Sequence, residues 1–188
     1  MASRSIRLPA VMTTRRTFLV AGLTGGATLA VAYWLRGTRE RSPVLGANAT
    51  LEALDPAAPA IIAAIVPVML SGALPAEPAA RAAAVTDTVA SVARAVSGLA
   101  PAAQQELAQL FSLLSLPPTR IALAGVKTPW ADASPEAIAA FLDRWRTSGW
   151  TLLRSAYDAL HQLVLAAWYG NPRTWPSIGY PGPPAIGL

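Results

Sequence analysis

The residues that could carry acid–base chemistry in this chain are few. His161 is the single histidine of the sequence, so it is the one candidate for an imidazole base. Asp158 precedes it by three residues and would lie beside it on a helix. No serine stands in a nucleophile-elbow sequence that would complete a catalytic group with these two residues. A lone histidine on a helix is typically structural, and the sequence therefore predicts no catalytic residue.

Metal and cofactor chemistry has no recognisable ligand set either. The chain has no cysteine, which excludes disulfides, thiolate metal sites and iron–sulfur ligation by its own residues. The glycines Gly22, Gly25 and Gly26 lie near the N-terminus and not between a strand and a helix, so they form no phosphate loop or dinucleotide fingerprint. The aspartates are scattered singly along the sequence. We expect no metal-binding or cofactor-binding residue in this chain.

The charges are distributed unevenly. Residues 1–49 carry seven arginines against the single acid Glu40, whereas residues 50–188 carry eight basic and nine acidic residues. The formal net charge of +5 therefore belongs to the N-terminal leader, and the remainder has no basic excess with which to neutralise a phosphate backbone. This distribution argues against nucleic acid as a partner.

The leader contains a short arginine motif followed by an uncharged stretch. Arg15 and Arg16, followed after one polar residue by Phe18 and Leu19, are similar to the twin-arginine export motif. Residues 17–35 are uncharged and only moderately hydrophobic, as such leaders tend to be. An ordinary transmembrane helix flanked by arginines is the alternative interpretation. Both interpretations predict that the chain reaches a membrane.

The sequence leaves the removal of the leader open. Ala47 and Ala49 fit a small-residue cleavage pattern, but they lie beyond three further arginines. As a helix, residues 17–35 would span about 28 Å, close to a hydrocarbon core of about 30 Å, so an uncleaved membrane anchor is the alternative. In both cases residues 50–188 are expected in the periplasm, outside the cytoplasmic membrane.

Residues 50–169 are predicted to fold as an all-α bundle of four or five helices. The chain is 53% hydrophobic and 13% charged, and its clearest amphipathic helix, over residues 82–99, has apolar residues at spacings of three and four. Helix starts are indicated at Asp55–Pro56, Pro101 and Ser134–Pro135, where a capping residue or a first-turn proline stands. No segment predicts a strand.

Residues 170–188 form a separate segment at the C-terminus. Gly170 is placed to end the last helix, and the four glycines and five prolines of the segment prevent a continued helix or a central strand. We therefore predict an extended tail. Because Trp175 and Tyr180 would be unfavourable in water, the tail is expected to dock. The sequence leaves open whether it docks on its own domain or on a partner subunit.

The other tryptophans of residues 50–169 are assigned from their context. Trp145, Trp150 and Trp168 fall on the last two predicted helices and are expected in the core. Trp130 falls in a loop, where a large aromatic residue is a candidate interface anchor. Three arginines near these positions form either a patch for an anion or a partner, or an ordinary solvated helix face: Arg144, Arg146 and Arg154.

The leader and the missing cofactor motifs together suggest a function. Twin-arginine leaders serve proteins that cross the membrane already folded, a route needed most when a cofactor is inserted in the cytoplasm. This chain shows no cofactor motif, so a folded-export signal is best explained if it carries a cofactor-loaded partner with it. The sequence therefore favours an escort subunit.

Three short stretches near the end of the chain resemble a known family. The run Ala-Trp-Tyr-Gly at 167–170 resembles a stretch near the end of the small subunits of bacterial membrane-bound FAD-dependent sugar and alcohol dehydrogenases. Gly-Asn-Pro-Arg at 170–173 and Gly-Tyr-Pro-Gly at 179–182 resemble segments of the gluconate 2-dehydrogenase subunit 3 family. The leader motif at 14–20 agrees with this likeness, whereas residues 53–125 match only in being helical.

The resemblance implies a non-catalytic small subunit that accompanies a large flavoprotein, of the glucose-methanol-choline oxidoreductase type, to the periplasm. FAD and substrate would be bound by that large subunit. The twin-arginine translocase and a cytochrome electron acceptor are further implied partners. The resemblance carries a partner-binding role over to Trp168, Tyr169, Gly170, Asn171, Pro172, Gly179, Tyr180, Pro181 and Gly182. Trp175 joins them as a candidate anchor of the tail.

Two other functions stay open at the level of sequence. One is an independent, membrane-anchored helical binding or structural protein whose tail covers its own core. The other is a small periplasmic enzyme that uses His161 together with Asp158 or an arginine.

Overall fold

The computed structural model describes residues 50–182, and these are all-α, as the sequence predicts. Three quarters of this part is helical, and none of the described residues forms a strand. The predictions for the leader, with Arg15, Arg16, Phe18 and Leu19, and for residues 183–188 lie outside the described residues. The α-helices are α1 Leu51–Leu54, α2 Ala58–Met69, α3 Pro78–Ser97, α4 Pro101–Ser115, α5 Pro117–Thr119, α6 Pro135–Arg146 and α7 Thr151–Tyr169.

Tighter turns complete the described part. A π-helical turn over Arg120–Ala124 follows α5 directly, and a 3₁₀ turn over Trp130–Asp132 precedes α6. A second 3₁₀ helix, Pro172–Ile178, follows α7. The five longer helices α2, α3, α4, α6 and α7 correspond to the substantial helices that the sequence predicts.

Local capping signals place the helix starts where the sequence predicts them, with one shift. Pro101 and Pro135 are the first residues of α4 and α6. The Ser134 hydroxyl accepts the backbone N–H of Ala137 at 3.2 Å, as an N-cap does. Asp55 accepts the N–H of residue 57 at 2.8 Å and caps the turn before α2, so that helix begins at residue 58 instead of Pro56.

Helix α2 lies at the centre of the bundle. Its sequence is apolar on every side, and a helix of this composition is typically buried. Ile61, Ile62 and Ile65 have no exposed surface, and the helix contacts α1, α3, α4, α6 and α7. The helix ends at Met69, two residues after Pro67. These five helices therefore pack around α2.

Helices α3 and α7 pack along each other, and α7 contacts the 3₁₀ helix Pro172–Ile178 that follows it. Val92 and Val96 of α3 are buried, as its apolar spacing predicts. Thr88 and Ser91 are buried beside them, and their hydroxyls donate to backbone carbonyls one turn earlier. Residues 78–83 are exposed, so the predicted stripe is buried only in the later turns of the helix.

Among the described residues, no single helix is both long enough and apolar enough to cross a membrane. By length and composition alone, α4 and Pro117–Ala124 pass such a test as a pair bent by 85°. Helix α4 buries Leu107, Phe111 and Leu114 within the bundle, and the core helix of a protein passes the same test.

Candidate functional site

The end of the described chain, residues 170–182, is folded against its own domain, and we call it the C-terminal segment. Pro172–Ile178 forms a 3₁₀ helix, so the prediction of an extended tail is wrong for these residues. The cause is local, because the Asn171 side chain accepts the N–H of Arg173 at 3.1 Å and Pro172 follows as the first helical residue. The hydroxyl of buried Thr174 donates to the carbonyl oxygen of Trp168 at 2.6 Å, which ties the segment to α7.

Trp175 holds the shape of the C-terminal segment. Its indole N–H donates to the carbonyl oxygen of Tyr169, the last residue of α7, at 2.8 Å. Its ring meets the ring of Tyr180 edge to face, with centroids 5.2 Å apart. The backbone N–H of Tyr180 donates to the carbonyl oxygen of Trp175 at 3.0 Å. Through these contacts, the half-buried indole of Trp175 links the end of α7 to Tyr180.

Three glycines of the predicted partner-binding set are required by the backbone. A Cβ on Gly170 would lie 2.6 Å from the carbonyl oxygen of Ala166, too close for a side chain. Gly179 and Gly182 have φ values of +70° and +100°, a region that favours glycine. A Cβ on Gly182 would also press on the Trp175 ring at 3.3 Å. These glycines therefore permit the backbone shape of the segment, and their binding of a partner stays a prediction.

The remaining predicted residues separate by exposure. Trp168 is only 2% exposed, so the prediction that its side chain binds a partner needs correction, because α7 turns it into the core. Its indole N–H has no acceptor within the described part of the chain. Tyr169 and Tyr180 are 47% and 45% exposed, and Pro172 and Pro181 are also exposed. The end of α7 and the C-terminal segment therefore expose these two tyrosine rings and these two prolines.

A surface cleft of about 310 Å³ separates this segment from α3. Its lining residues are Asp87, Ala90, Arg94, Asn171 and Arg173. Arg173 Nη1 lies 3.5 Å from Asp87 Oδ2, and because both side chains are largely exposed, this ion pair contributes about 0–1 kcal/mol. The sequence places Asp87 and Arg94 on the polar face of α3, but it carries no signal for the segment that crosses that face.

The candidate catalytic pair does not form the contact that its spacing suggests. The ring of His161 stacks on the ring of Tyr157, one turn earlier, with centroids 5.5 Å apart and an interplanar angle of 20°. Asp158 is exposed, and within residues 50–182 no hydrogen bond joins it to His161. Within residues 50–182, no group of three or more histidine, cysteine or acidic side chains is placed to hold a metal ion.

Trp130 and Trp145 both belong to the core. Trp145 is buried as predicted, and its indole N–H donates to the carbonyl oxygen of Leu123 at 2.9 Å. Trp130 is buried too, and donates to the carbonyl oxygen of Leu114 at 2.8 Å, so its prediction as an interface anchor is wrong. Both rings meet Phe141 edge to face, with centroid distances of 5.7 Å for Trp130 and 4.7 Å for Trp145. The prediction assumed that a tryptophan in a loop is exposed, but this loop places Trp130 in the core.

Trp150 has the opposite outcome. It is 71% exposed, so the prediction of a core residue is wrong. It lies at the N-cap position of α7 without a side-chain capping hydrogen bond, and the buried residues of that helix begin only at Leu160. The apolar spacing of the helix therefore does not extend burial to its first turn.

The fold and this site define a small all-α domain whose C-terminal segment is ordered by its own contacts. Comparison of the chain with protein-family models, with curated proteins and with solved structures finds no match. Its function therefore has to follow from the geometry of the C-terminal segment and from the motifs of the sequence.

Proposed function

We propose that this chain is a non-catalytic small subunit that assists the folding and twin-arginine export of a large FAD-dependent dehydrogenase of the glucose-methanol-choline type. It stays bound to this enzyme in the periplasm. FAD and substrate belong to the partner in this proposal, and a cytochrome is a candidate for the electron acceptor. The leader either serves for export alone or remains as a membrane anchor. The sequence motifs at 14–20 and 167–182 supply the resemblance on which the identity of the partner rests.

The observation that carries the proposal is the C-terminal segment, which has a fixed shape and an aromatic surface. The indole N–H of Trp175 donates to the last residue of α7, and its ring contacts the ring of Tyr180 edge to face. Tyr169 and Tyr180 remain about half exposed. Tyrosine and tryptophan are enriched among the residues that dominate binding energy at interfaces, and a segment that is already ordered loses less conformational entropy on binding.

The proposal is tested by capture from native membranes in mild detergent. A tag inserted between Ser71 and Gly72, both exposed in the connection between α2 and α3, leaves the C-terminal segment free. The captured protein is examined by gel and by its visible absorption spectrum. We expect a second, larger band and flavin absorbance. A colourless single band from a folded chain contradicts the proposal.

Matched variants locate the binding surface. Replacing Tyr169 and Tyr180 together by alanine removes two half-exposed rings, one at the end of α7 and one in the C-terminal segment. We expect captured flavin to fall by roughly tenfold or more, as for hot-spot residues. Trp150→Ala removes a still more exposed ring at the other end of α7, and it is expected to leave capture unchanged. Equal loss in both variants indicates a general effect of surface aromatic residues and contradicts docking through this segment.

A second candidate function has an observation in its favour. Buried Thr174 and the hydrogen bond of its hydroxyl to Trp168 show that the C-terminal segment covers part of its own domain. An independent, membrane-anchored binding or structural protein would need the segment only for that purpose. In that case, truncation after Gly170 lowers the melting temperature of the chain, and no flavoprotein is captured by the full-length protein.

A further inference from the structure

The π-helical turn Arg120–Ala124 leads into a short loop with an unusual set of cations. A π-helical turn is rare, and such turns are frequent at functional sites. It ends at Gly125, whose φ of +69° lies in the left-handed region and whose N–H donates to the carbonyl oxygen of Ile121 at 3.0 Å. The loop Gly125–Lys127 follows, with Val126 buried and Lys127 exposed.

Arg120 is a buried cation without an acidic partner. It is 8% exposed, and its guanidinium donates to the carbonyl oxygens of Val126 at 3.3 Å and Lys127 at 3.5 Å. The ion pairs of the described residues are Arg146 with Asp143 and Arg173 with Asp87, so no carboxylate lies within 4.0 Å of Arg120. Buried charges are usually paired with an opposite charge. The positive charge of Arg120 is balanced only by carbonyl dipoles.

Arg144 lies against the same loop. Its guanidinium covers Gly125 so closely that a Cβ on this glycine would collide with both of its terminal nitrogens. The side chain is exposed, and no carboxylate within the described chain pairs with it. Arg120 and Arg144 therefore contact consecutive residues of one loop, which itself carries Lys127. Arg144 and Lys127 are exposed, and Arg120 is buried.

We infer that this basic loop, defined as Arg120, Gly125–Lys127 and Arg144, is a docking surface for an acidic segment of a protein partner. Its binding groups are the exposed cations Lys127 and Arg144, whereas buried Arg120 positions the loop through its bonds to the loop carbonyls. A guanidinium group binds a carboxylate through two parallel hydrogen bonds, and arginine is enriched at the centre of protein interfaces. Exposed Ile121 lies beside Arg120 in the sequence and adds an apolar contact of the kind that such interfaces contain. The surface is distinct from the C-terminal segment, and the inference does not depend on the identity of the partner.

The charge balance favours an acidic protein segment over a lipid surface. Recognition of anionic lipids typically uses about four to eight clustered cations. The basic loop has two exposed cations, Lys127 and Arg144. Residues 50–188 have eight basic and nine acidic residues, so no long-range positive field surrounds the loop. Recognition must then come from contact between these two cations and a few carboxylates.

The inference is tested by titrating the full chain, in a nonionic detergent at low salt, with a hexaglutamate peptide. Two-dimensional NMR follows the backbone amide of Gly125 and the side-chain Nε of Arg144. We expect both signals to shift saturably with the peptide, and Arg144→Gln to weaken the affinity by roughly threefold or more. Arg81→Gln removes the same charge from α3, outside the loop, and is expected to leave the affinity unchanged.

Three outcomes overturn the inference. One is an equal loss of affinity in the Arg144→Gln and Arg81→Gln variants, since this would show only non-specific attraction. The others are stronger shifts of the loop signals with inorganic phosphate, or with phosphatidylglycerol vesicles, than with the peptide. If Arg144→Gln lowers the melting temperature sharply, Lys127→Gln replaces it, because Lys127 is exposed and the same loss of affinity is expected.

Discussion

Trp145 in the core and Trp175 in the C-terminal segment use the same hydrogen bond in different surroundings. Each indole N–H donates to a backbone carbonyl oxygen of a helical segment, that of Leu123 at 2.9 Å and that of Tyr169 at 2.8 Å. Trp145 is buried against Phe141, whereas Trp175 is half-buried. Trp145 is part of the hydrophobic core, whereas Trp175 orders the C-terminal segment at the surface.

This difference in burial predicts that the core determines the stability of the fold and the C-terminal segment determines binding. A fully buried aromatic ring removes a large apolar area from water, and burial of one large apolar side chain is worth about 1.5–3 kcal/mol. Among the side chains of the C-terminal segment that the structure describes, Thr174 is buried, and Asn171 and Trp175 are half-buried. Changes in the core are therefore expected to reduce the free energy of unfolding, and changes in the segment to affect binding more than folding.

The largest effect is expected at Trp145. Trp145→Ala leaves a cavity beside Phe141 and removes the partner of the Leu123 carbonyl, so the free energy of unfolding should fall by about 3–5 kcal/mol. Trp145→Phe keeps most of the ring and loses the hydrogen bond, and a smaller fall of about 1–2 kcal/mol is expected. Denaturant unfolding measures both. A loss below about 1 kcal/mol for the alanine variant would show that the core does not depend on this ring.

Trp175→Ala should distinguish the segment from the core. Since the ring is half-buried and makes one hydrogen bond, we expect the free energy of unfolding to fall by about 1–2 kcal/mol. The amide of Tyr180, which donates to the carbonyl oxygen of residue 175, should exchange with solvent much faster. Hydrogen exchange of the full chain tests this, and unchanged protection of Tyr180 would mean that Trp175 does not order the segment.

Gly125 and Gly149 form a matched pair of loop glycines. Gly125→Ala places a Cβ against the Arg144 guanidinium at a φ of +69°, so the free energy of unfolding should fall by about 1–2 kcal/mol. A Cβ on Gly149 meets no atom within 4 Å, and Gly149→Ala is expected to change stability by less than about 0.5 kcal/mol. Thermal unfolding compares them. Equal effects would argue against the close contact between Arg144 and the basic loop.

The smallest effect is expected at the exposed start of α3. The Glu77 carboxylate accepts the backbone N–H groups of Ala79 at 2.9 Å and Ala80 at 2.6 Å, and these bonds lower its pKa below the ordinary value of 4.5. The cap therefore stabilises the helix above pH 4.5 and is lost as the pH falls through the lowered pKa. The amide shifts of Ala79 and Ala80 should titrate in that acidic range, and in Glu77→Gln they should not.

The sequence predicts most of the helices, because their starts depend on local signals. The Ser134 cap and the first-turn prolines Pro101 and Pro135 act within one turn of the chain. The 3₁₀ helix of the C-terminal segment also has such a signal, an asparagine cap at Asn171 before Pro172. Recognition of that signal would have corrected the predicted extended tail.

The features that the sequence misses depend on tertiary packing. Trp130 is buried and Trp150 is exposed, although their local contexts predict the reverse. The position of Arg144 over Gly125 joins two elements that are nineteen residues apart, and no local pattern indicates it. Burial of a single side chain depends on which elements meet it, and this information is absent from a short window of sequence.

The most direct test of the proposed function compares the flavin captured from native membranes by the full chain and by a chain that ends at Gly170. Far-ultraviolet circular dichroism of both proteins shows whether the helices remain. The account predicts flavin absorbance and a larger band with the full chain, and a colourless but still helical protein after truncation. Equal flavin absorbance in both samples, or none in either, would contradict docking of a flavoprotein through the C-terminal segment.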